Sequence, residues 1–311
     1  MIITRDLRER FVKENKLPIR VFDSDFFMGH LTLAEPFFHS LTLYTDFLDM
    51  VNTFENEDAY FEYYKQVKED AIQFIQSTEA FRKFNEIDLE KEWPVVNTGY
   101  PSKDIFHADN LHKRFVSIDM RKANFNTMKH FDPGFFGGAD TWEDFLGKFT
   151  NFKHIKNSKY IRQVILGACN PKRQTQYEKH LMDQILTRLL ESGVNTGDVK
   201  FFSNDEIVLE ITDHEEYREL INRVVASAEV PIRTDYFVLE GVRKNQDKNP
   251  MGYIRRMEDG SIDFKGVTTM YMPFVLRALQ HEDVAPYDMV FETESGELAK
   301  LMKVPVITFE A

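Results

Sequence analysis

From Pro36 to about Leu89, apolar side chains recur every three or four residues through AEPFFHSLTLYTDFLDMVNTF and DAYFEYYKQVKEDAIQFIQ. That spacing places them on one face of a helix. Ser77 and Thr78 ahead of Glu79 read as a fresh helix start, because a hydroxyl there can accept from a free first-turn amide. The aromatic stripe reads as core, expected to pack over the sheet that follows. EWPVVNTGYPSKDIFHADN, rich in Pro, Gly and Asx residues, reads as a connecting loop.

Beyond the loop the pattern alternates. Lys113 to Asp119 (KRFVSID) predicts a strand, and Tyr160 to Leu190 predicts helix interrupted at Asn170 and Pro171. Val199 to Ile211 predicts a β-hairpin turning at Ser203, Asn204 and Asp205; His214 to Ala228 a helix; Ile232 to Glu240 a strand. Strand, helices, hairpin, helix, strand is the split βαβ or ferredoxin-like order, in which a right-handed crossover lays the first strand beside the third. The expected fold is therefore α+β, an antiparallel sheet backed by helices. Residues 1–95 form a mainly helical N-terminal region, 96–240 the sheet domain, and 241–311 a C-terminal α/β extension. In this arrangement Asp119 comes close to the turn carrying Asp205 and Glu206, although Asp119 and Asp205 lie 86 positions apart.

Composition narrows the class. With 311 residues, 42% hydrophobic and 14% aromatic, the chain can bury a large core. No apolar run approaches the length of a membrane span, and MIITRDLRERFVKENK is charged where a signal peptide is apolar. A soluble, cytoplasmic protein with no membrane partner is expected, and a viral or mobile-element origin would look the same. A single cysteine, Cys169, excludes an internal disulfide and a Cys-rich zinc site and reads as a small packed residue. The net charge of −12 argues against nonspecific coating of nucleic acid. Between Asn151 and Tyr177 the sign reverses: Lys153, Lys156, Lys159, Arg162, Lys172 and Arg173 occur with no Asp or Glu. Such a stripe reads either as a solvated helix face or as a surface for phosphates.

Nucleotidyl transfer needs triphosphate charge neutralised and a hydroxyl activated, work done by divalent metals held on carboxylate oxygens. Asp119 at a strand end, with Asp205 and Glu206 at the hairpin, supplies such oxygens. Each residue taken singly reads as an ordinary cap or turn residue.

At these residues the chain resembles the palm domain of template-dependent nucleotide polymerases, with family B DNA polymerases and reverse transcriptases nearest. FVSIDMRKANFNTM is similar to their first motif and FFSNDEIVLEI to their third, which puts their metal-binding acids at Asp119 and Asp205. KYIRQVILGACNPKRQ stands where those enzymes carry a basic helix facing the triphosphate, implying phosphate contacts at Lys159 and Arg162 and nucleic-acid contacts at Lys172 and Arg173. The position whose aromatic ring excludes the ribose 2′-hydroxyl in that family is Asn124 here, with Phe125 next. FVLEGVRKN, GYIRR and DGSIDFKGVTTMYMPFVLRAL are similar to the palm-to-thumb stretch, which would set Arg243, Lys244 and Lys265 near a primer. The resemblance implies Mg²⁺ or Mn²⁺ at Asp119 and Asp205 with Glu206 assisting, a nucleotide triphosphate as substrate, and a nucleic-acid primer and template. The small size leaves a place for a partner chain.

Two rivals remain. Asn204 stands where the family has a further acid, so a catalytically inactive palm relative that binds nucleic acid or protein fits as well. Ser203-Asn204-Asp205-Glu206-Ile207 partly resembles the GGDEF hairpin of nucleotide cyclases, but without the glycines that let the backbone approach the nucleotide. Pro133 to Gly138 reads as a flexible cover near Asp119 and lacks the lysine of a P-loop. The histidines show no metal spacing, and nothing pairs Cys169 with a base.

Overall fold

The computed structural model describes residues 2–211, 215–245 and 247–310. Helices α1 (Arg5–Asn15), α2 (Ser24–Phe38), α3 (Ser40–Val51), α4 (Glu57–Ser77), α5 (Glu79–Glu86) and α6 (Leu89–Glu92) precede strand β1 (Arg114–Met120). Then come α7 (Ala123–Phe131), α8 (Trp142–Leu146), α9 (Lys153–Asn157), α10 (Lys159–Gly167) and α11 (Pro171–Glu191), followed by the hairpin β2 (Val199–Phe202) and β3 (Glu206–Glu210). The order continues with α12 (Glu215–Ala226), β4 (Ile232–Lys244), β5 (Gly252–Met257), β6 (Ile262–Lys265), α13 (Met272–Gln280), β7 (Val290–Glu292), β8 (Leu298–Lys300) and β9 (Ile307–Glu310). The fold is α+β, and none of the described helices is long and apolar enough to cross a membrane.

Contacts divide the chain into two compact units. The first comprises Met1–Lys65, Phe152–Ile161 and Leu239–Ala311; the second comprises Gln66–Asn151 and Arg162–Val238. This division in space cuts the chain differently from the three consecutive regions read along the sequence.

In the second unit the strand order is β2-β3-β1-β4, with every neighbouring pair antiparallel. The central strand β1 is apolar on both faces: Phe115, Val116, Ile118 and Met120 are all buried. Such a strand gains most from neighbours on both edges, and β3 and β4 supply them. Helix α11 packs on β3 and against α7 and α12. The expected break between α10 and α11 occurs at Asn170, in the left-handed region at φ 62°, and Pro171 opens α11 where its missing N–H costs nothing. Likewise Thr78 caps α5 by accepting from the amide of Phe81. His214, the expected start of α12, lies outside the described residues.

The aromatic stripe is core, as expected, but its partners are other rings on helices and turns. Phe84 packs at 5.3 Å from Trp93, 5.2 Å from Phe131 and 5.5 Å from Phe135. Pro133 to Phe136 is a 3-10 turn with Phe135 and Phe136 fully buried, and Lys148 donates to the carbonyl of Phe136 at 2.9 Å. The segment expected to be a flexible cover is thus anchored in the core by Phe135 and Phe136, while Pro133, Gly134, Gly137 and Gly138 stay exposed, because two adjacent phenylalanines have more to gain from burial than a loop has from freedom.

In the first unit, α1 forms where the sequence showed only a charged leader, because Leu7, Phe11 and Val12 bury on one face. Phe11 lies 4.9 Å from Tyr44 and 5.3 Å from Phe47. Beside it the buried carboxylate of Glu14 meets His154 at 2.7 Å and also the guanidinium of Arg10. The last residues of β4, from Gly241, pair with β9, and the β5-β6 hairpin packs Ile254 with Val242 and Val275.

Phe84→Ala removes a ring at 0% exposure from the second unit's aromatic core and is expected to cost about 3–5 kcal/mol. Met302→Ala, at 99% exposure, is expected to change stability by less than about 0.5 kcal/mol. Urea unfolding of the two variants beside the wild type measures both.

Candidate functional site

The site is built by strand register. Asp119 on β1 faces Glu206 on β3, and the amide of Met120 donates to the carbonyl of Asp205 at 2.9 Å. That bond makes Asp119 and Glu206 a non-hydrogen-bonded pair, the kind whose side chains lie closer. On the other edge of β1, Asp119 faces Arg233 and Ser117 faces Asp235. Alternation along each strand therefore sets Ser117, Asp119, Glu206, Arg233 and Asp235 on one face of the sheet.

These side chains engage one another. The Ser117 hydroxyl donates to Glu206 Oε1 at 2.6 Å. The Arg233 guanidinium lies 3.2 Å from Asp119 and 2.7 Å from Asp235. Its side chain is 53% exposed, so water screens the pair.

The hairpin tip is ordered by its own polar groups. The Ser203 amide donates to the Glu206 carbonyl at 2.9 Å, and the Ser203 hydroxyl donates to Asp205 Oδ1 at 3.1 Å. Behind the tip, Asn204 Nδ2 donates to Glu178 Oε2 at 2.9 Å. Lys179 donates to the carbonyls of Phe202 and Ser203, each at 3.1 Å, with its ammonium over the Phe202 ring. Burial pushes the Glu178 carboxyl up to about 7; the Asn204 bond opposes that rise and the charge of Asp205 adds to it. Burial lowers Lys179 to about 8, against the pull of Asp183.

Other predicted residues are placed unevenly. Asn124 sits in the first turn of α7, half-buried. Phe125 is 2% exposed, with its ring 4.5 Å from Phe136 and 6.1 Å from Trp142. It is a core residue, and burial among these rings removes it from any role as a sugar gate. Arg162 is 8% exposed, its Nε has no hydrogen-bond partner, and burial lowers its pKa against the attraction of Glu143. Glu143 in turn meets Lys122 at 2.6 Å, just before α7. Lys172 is exposed, whereas Arg173 donates to the carbonyls of Phe84, at 2.9 Å, and Ile87.

The basic stretch is thus not one continuous cationic face: Arg162 is buried, Arg173 holds the end of α5, and Lys153 meets Asp46 at 2.9 Å. Lys159, exposed at the start of α10, belongs to the first unit together with Arg243, Lys244 and Lys265. Arg243 pairs with Glu310 and donates to the carbonyl of Asp247 at 2.9 Å. Lys244 donates to the Tyr271 hydroxyl at 3.2 Å, and Lys265 is exposed at the end of β6. Cys169 is buried, its thiol pushed up to about 12 by burial alone.

Sequence reasoning missed Ser117, Glu178 and Arg233. Ser117 and Arg233 become visible only through register. Glu178 had a signal, a carboxylate next to Tyr177 and three residues before Leu181 on the buried side of α11. Among the described residues no three His, Cys, Asp or Glu side chains gather in a group able to hold a metal ion. The donor set at the strand ends is nevertheless all carboxylate oxygen, the chemistry that suits a hard divalent cation.

The folded state holds the Glu178 proton more tightly than the unfolded chain does, so stability contributed by this group is full below the ordinary glutamate range and is lost as pH rises through about 7. Glu178→Gln keeps an acceptor for Asn204 and cannot ionise. At pH 8 it is expected to be more stable than wild type by up to roughly 3 kcal/mol, with the difference vanishing toward pH 4.5. Urea titrations across that range measure it, and a pH-independent difference would contradict the assignment.

In comparisons with protein-family models, with curated proteins and with solved structures, nothing matches this chain.

Proposed function

We propose that the chain is a metal-dependent nucleotidyltransferase with a polymerase-like palm, adding nucleotides from a triphosphate to a primer. The register that pairs Asp119 with Glu206 on one face of the sheet, beside the turn that carries Asp205, carries this reading. It concentrates carboxylates at the ends of adjacent antiparallel strands, the minimal protein contribution to nucleotidyl transfer. Asp119 and Asp205 would hold Mg²⁺ or Mn²⁺, with Glu206, oriented by Ser117, assisting. A bound divalent cation supplies charge neutralisation at the phosphates and activation of the attacking hydroxyl.

The chain's own residues do the positioning. The Asn204–Glu178 and Lys179–carbonyl bonds fix the tip, so Asp205 needs little reorganisation to bind. Arg233 balances Asp119 when no cation is present. An exposed pair of this kind is worth about 0–1 kcal/mol, little beside a divalent cation's attraction for the same carboxylate. Arg162, buried with an unpartnered Nε, is the phosphate contact this reading favours in the second unit.

A second reading has its own observation. Arg233 against Asp119, and Asn204 committed to Glu178, also suit a silent palm relative that binds nucleic acid or protein without turnover. Labelled nucleoside and deoxynucleoside triphosphates, with Mg²⁺ or Mn²⁺ and a mixed primer-template set, separate the two. The wild type is expected to incorporate label, and Asp119→Ala and Asp205→Ala are each expected to lose at least about a hundredfold. No incorporation under any condition, with equal nucleic-acid binding by all three proteins, would put the silent reading in its place.

A further inference from the structure

The first unit contains a cavity of about 300 Å³ that takes no part in the carboxylate site. Small-molecule sites run from about 300 to 1,000 Å³, so it has room for a compact ligand of one or two rings. Its walls are mostly apolar, with Ile19 and Val21 from the segment after α1, Pro273 from the first turn of α13, and Val290 and Phe291 from β7.

Two polar groups distinguish it from a packing defect. His30 on α2 lines the cavity, is 5% exposed, and has an Nε2 with no hydrogen-bond partner. A buried polar atom left without a partner costs about 1–3 kcal/mol, a cost that a ligand can relieve. Burial lowers the His30 pKa and the Arg277 charge adds to that, while Asp288 opposes it; the neutral ring can either donate or accept. Arg20 also lines the cavity and is exposed to solvent, a cation available to a ligand's charge. The other charged lining residue, Glu292, is already satisfied: it meets Arg5 at 2.5 Å and accepts from the amides of Phe22 and Asp23 at 2.7 and 3.3 Å.

We propose that this cavity binds a small aromatic carboxylate. Its ring lies among Ile19, Val21 and Phe291, its acid group pairs with Arg20, and a polar substituent on the ring bonds to His30. The site is built from residues of the first unit alone and does not rest on the nucleotidyltransferase reading.

Fluorescence titration with three probes tests it: 6-hydroxy-2-naphthoate, 2-naphthoate, which lacks the hydroxyl, and 2-naphthol, which lacks the carboxylate. The wild type is expected to bind the hydroxynaphthoate saturably at one site. His30→Phe should weaken the hydroxynaphthoate about fivefold to tenfold and leave 2-naphthoate unchanged. Arg20→Gln, a change at an exposed position that leaves folding intact, should weaken both acids about tenfold and spare 2-naphthol. Val290→Trp, which fills the cavity, should abolish binding of all three. Absence of saturable binding in the wild type, or affinities unmoved by both His30→Phe and Arg20→Gln, would overturn the proposal.

Discussion

The pairing of β1 on both edges is the constraint on which the second unit depends. A strand reading FVSIDM carries apolar residues on both faces, and it is stable only where neighbours satisfy both rows of backbone groups and helices and loops cover both faces. Once β3 and β4 take those edges, register follows: a slip of one residue would move Asp119 and Ile118 each to the opposite face of the sheet. The same hydrophobic alternation that secures the sheet therefore sets Asp119 opposite both Glu206 and Arg233.

The electrostatics of that strand end are graded by burial. Asp119 and Arg233 meet where water screens them, so their attraction is small and reversible. Behind the hairpin, Glu178 and Lys179 sit in drier surroundings, and each is driven toward its neutral form by desolvation. The tip is thus held by the Asn204–Glu178 bond and by Lys179 on two carbonyls. This division suits a site in which the scaffold stays fixed and only the surface charges exchange partners.

Much of the fold was legible in the sequence, because its signals were local. The Asn170-Pro171 break, the Thr78 cap and the turn at Ser203 to Asp205 each follow from the behaviour of one or two residues. The proximity of Asp119 to Glu206 was legible too, since the crossover rule places the first strand beside the third. What failed was anything decided by packing between distant segments. Phe125 and the Pro133–Gly138 segment looked available for function because composition does not show that Phe125, Phe135 and Phe136 pack on one another and on Trp142 and Phe145. The basic stretch looked like one stripe, yet Arg173 binds carbonyls, Lys153 meets Asp46 and Arg162 is buried. Arg233 and Ser117 could not be linked to Asp119 until register joined three strands.

The property that decides the function of this strand end is whether the Asp119 and Asp205 carboxylates bind a divalent cation in place of Arg233. Titration of Mn²⁺ followed by its electron paramagnetic resonance signal, on the wild type, Asp119→Asn, Asp205→Asn and Arg233→Gln, tests this directly. Saturable binding by the wild type is expected, with loss of that binding in both Asn variants and affinity about two- to fivefold tighter in Arg233→Gln, where the competing charge is gone. Binding that is absent in the wild type and in Arg233→Gln, or unchanged when Asp119 and Asp205 are neutralised, would contradict that expectation.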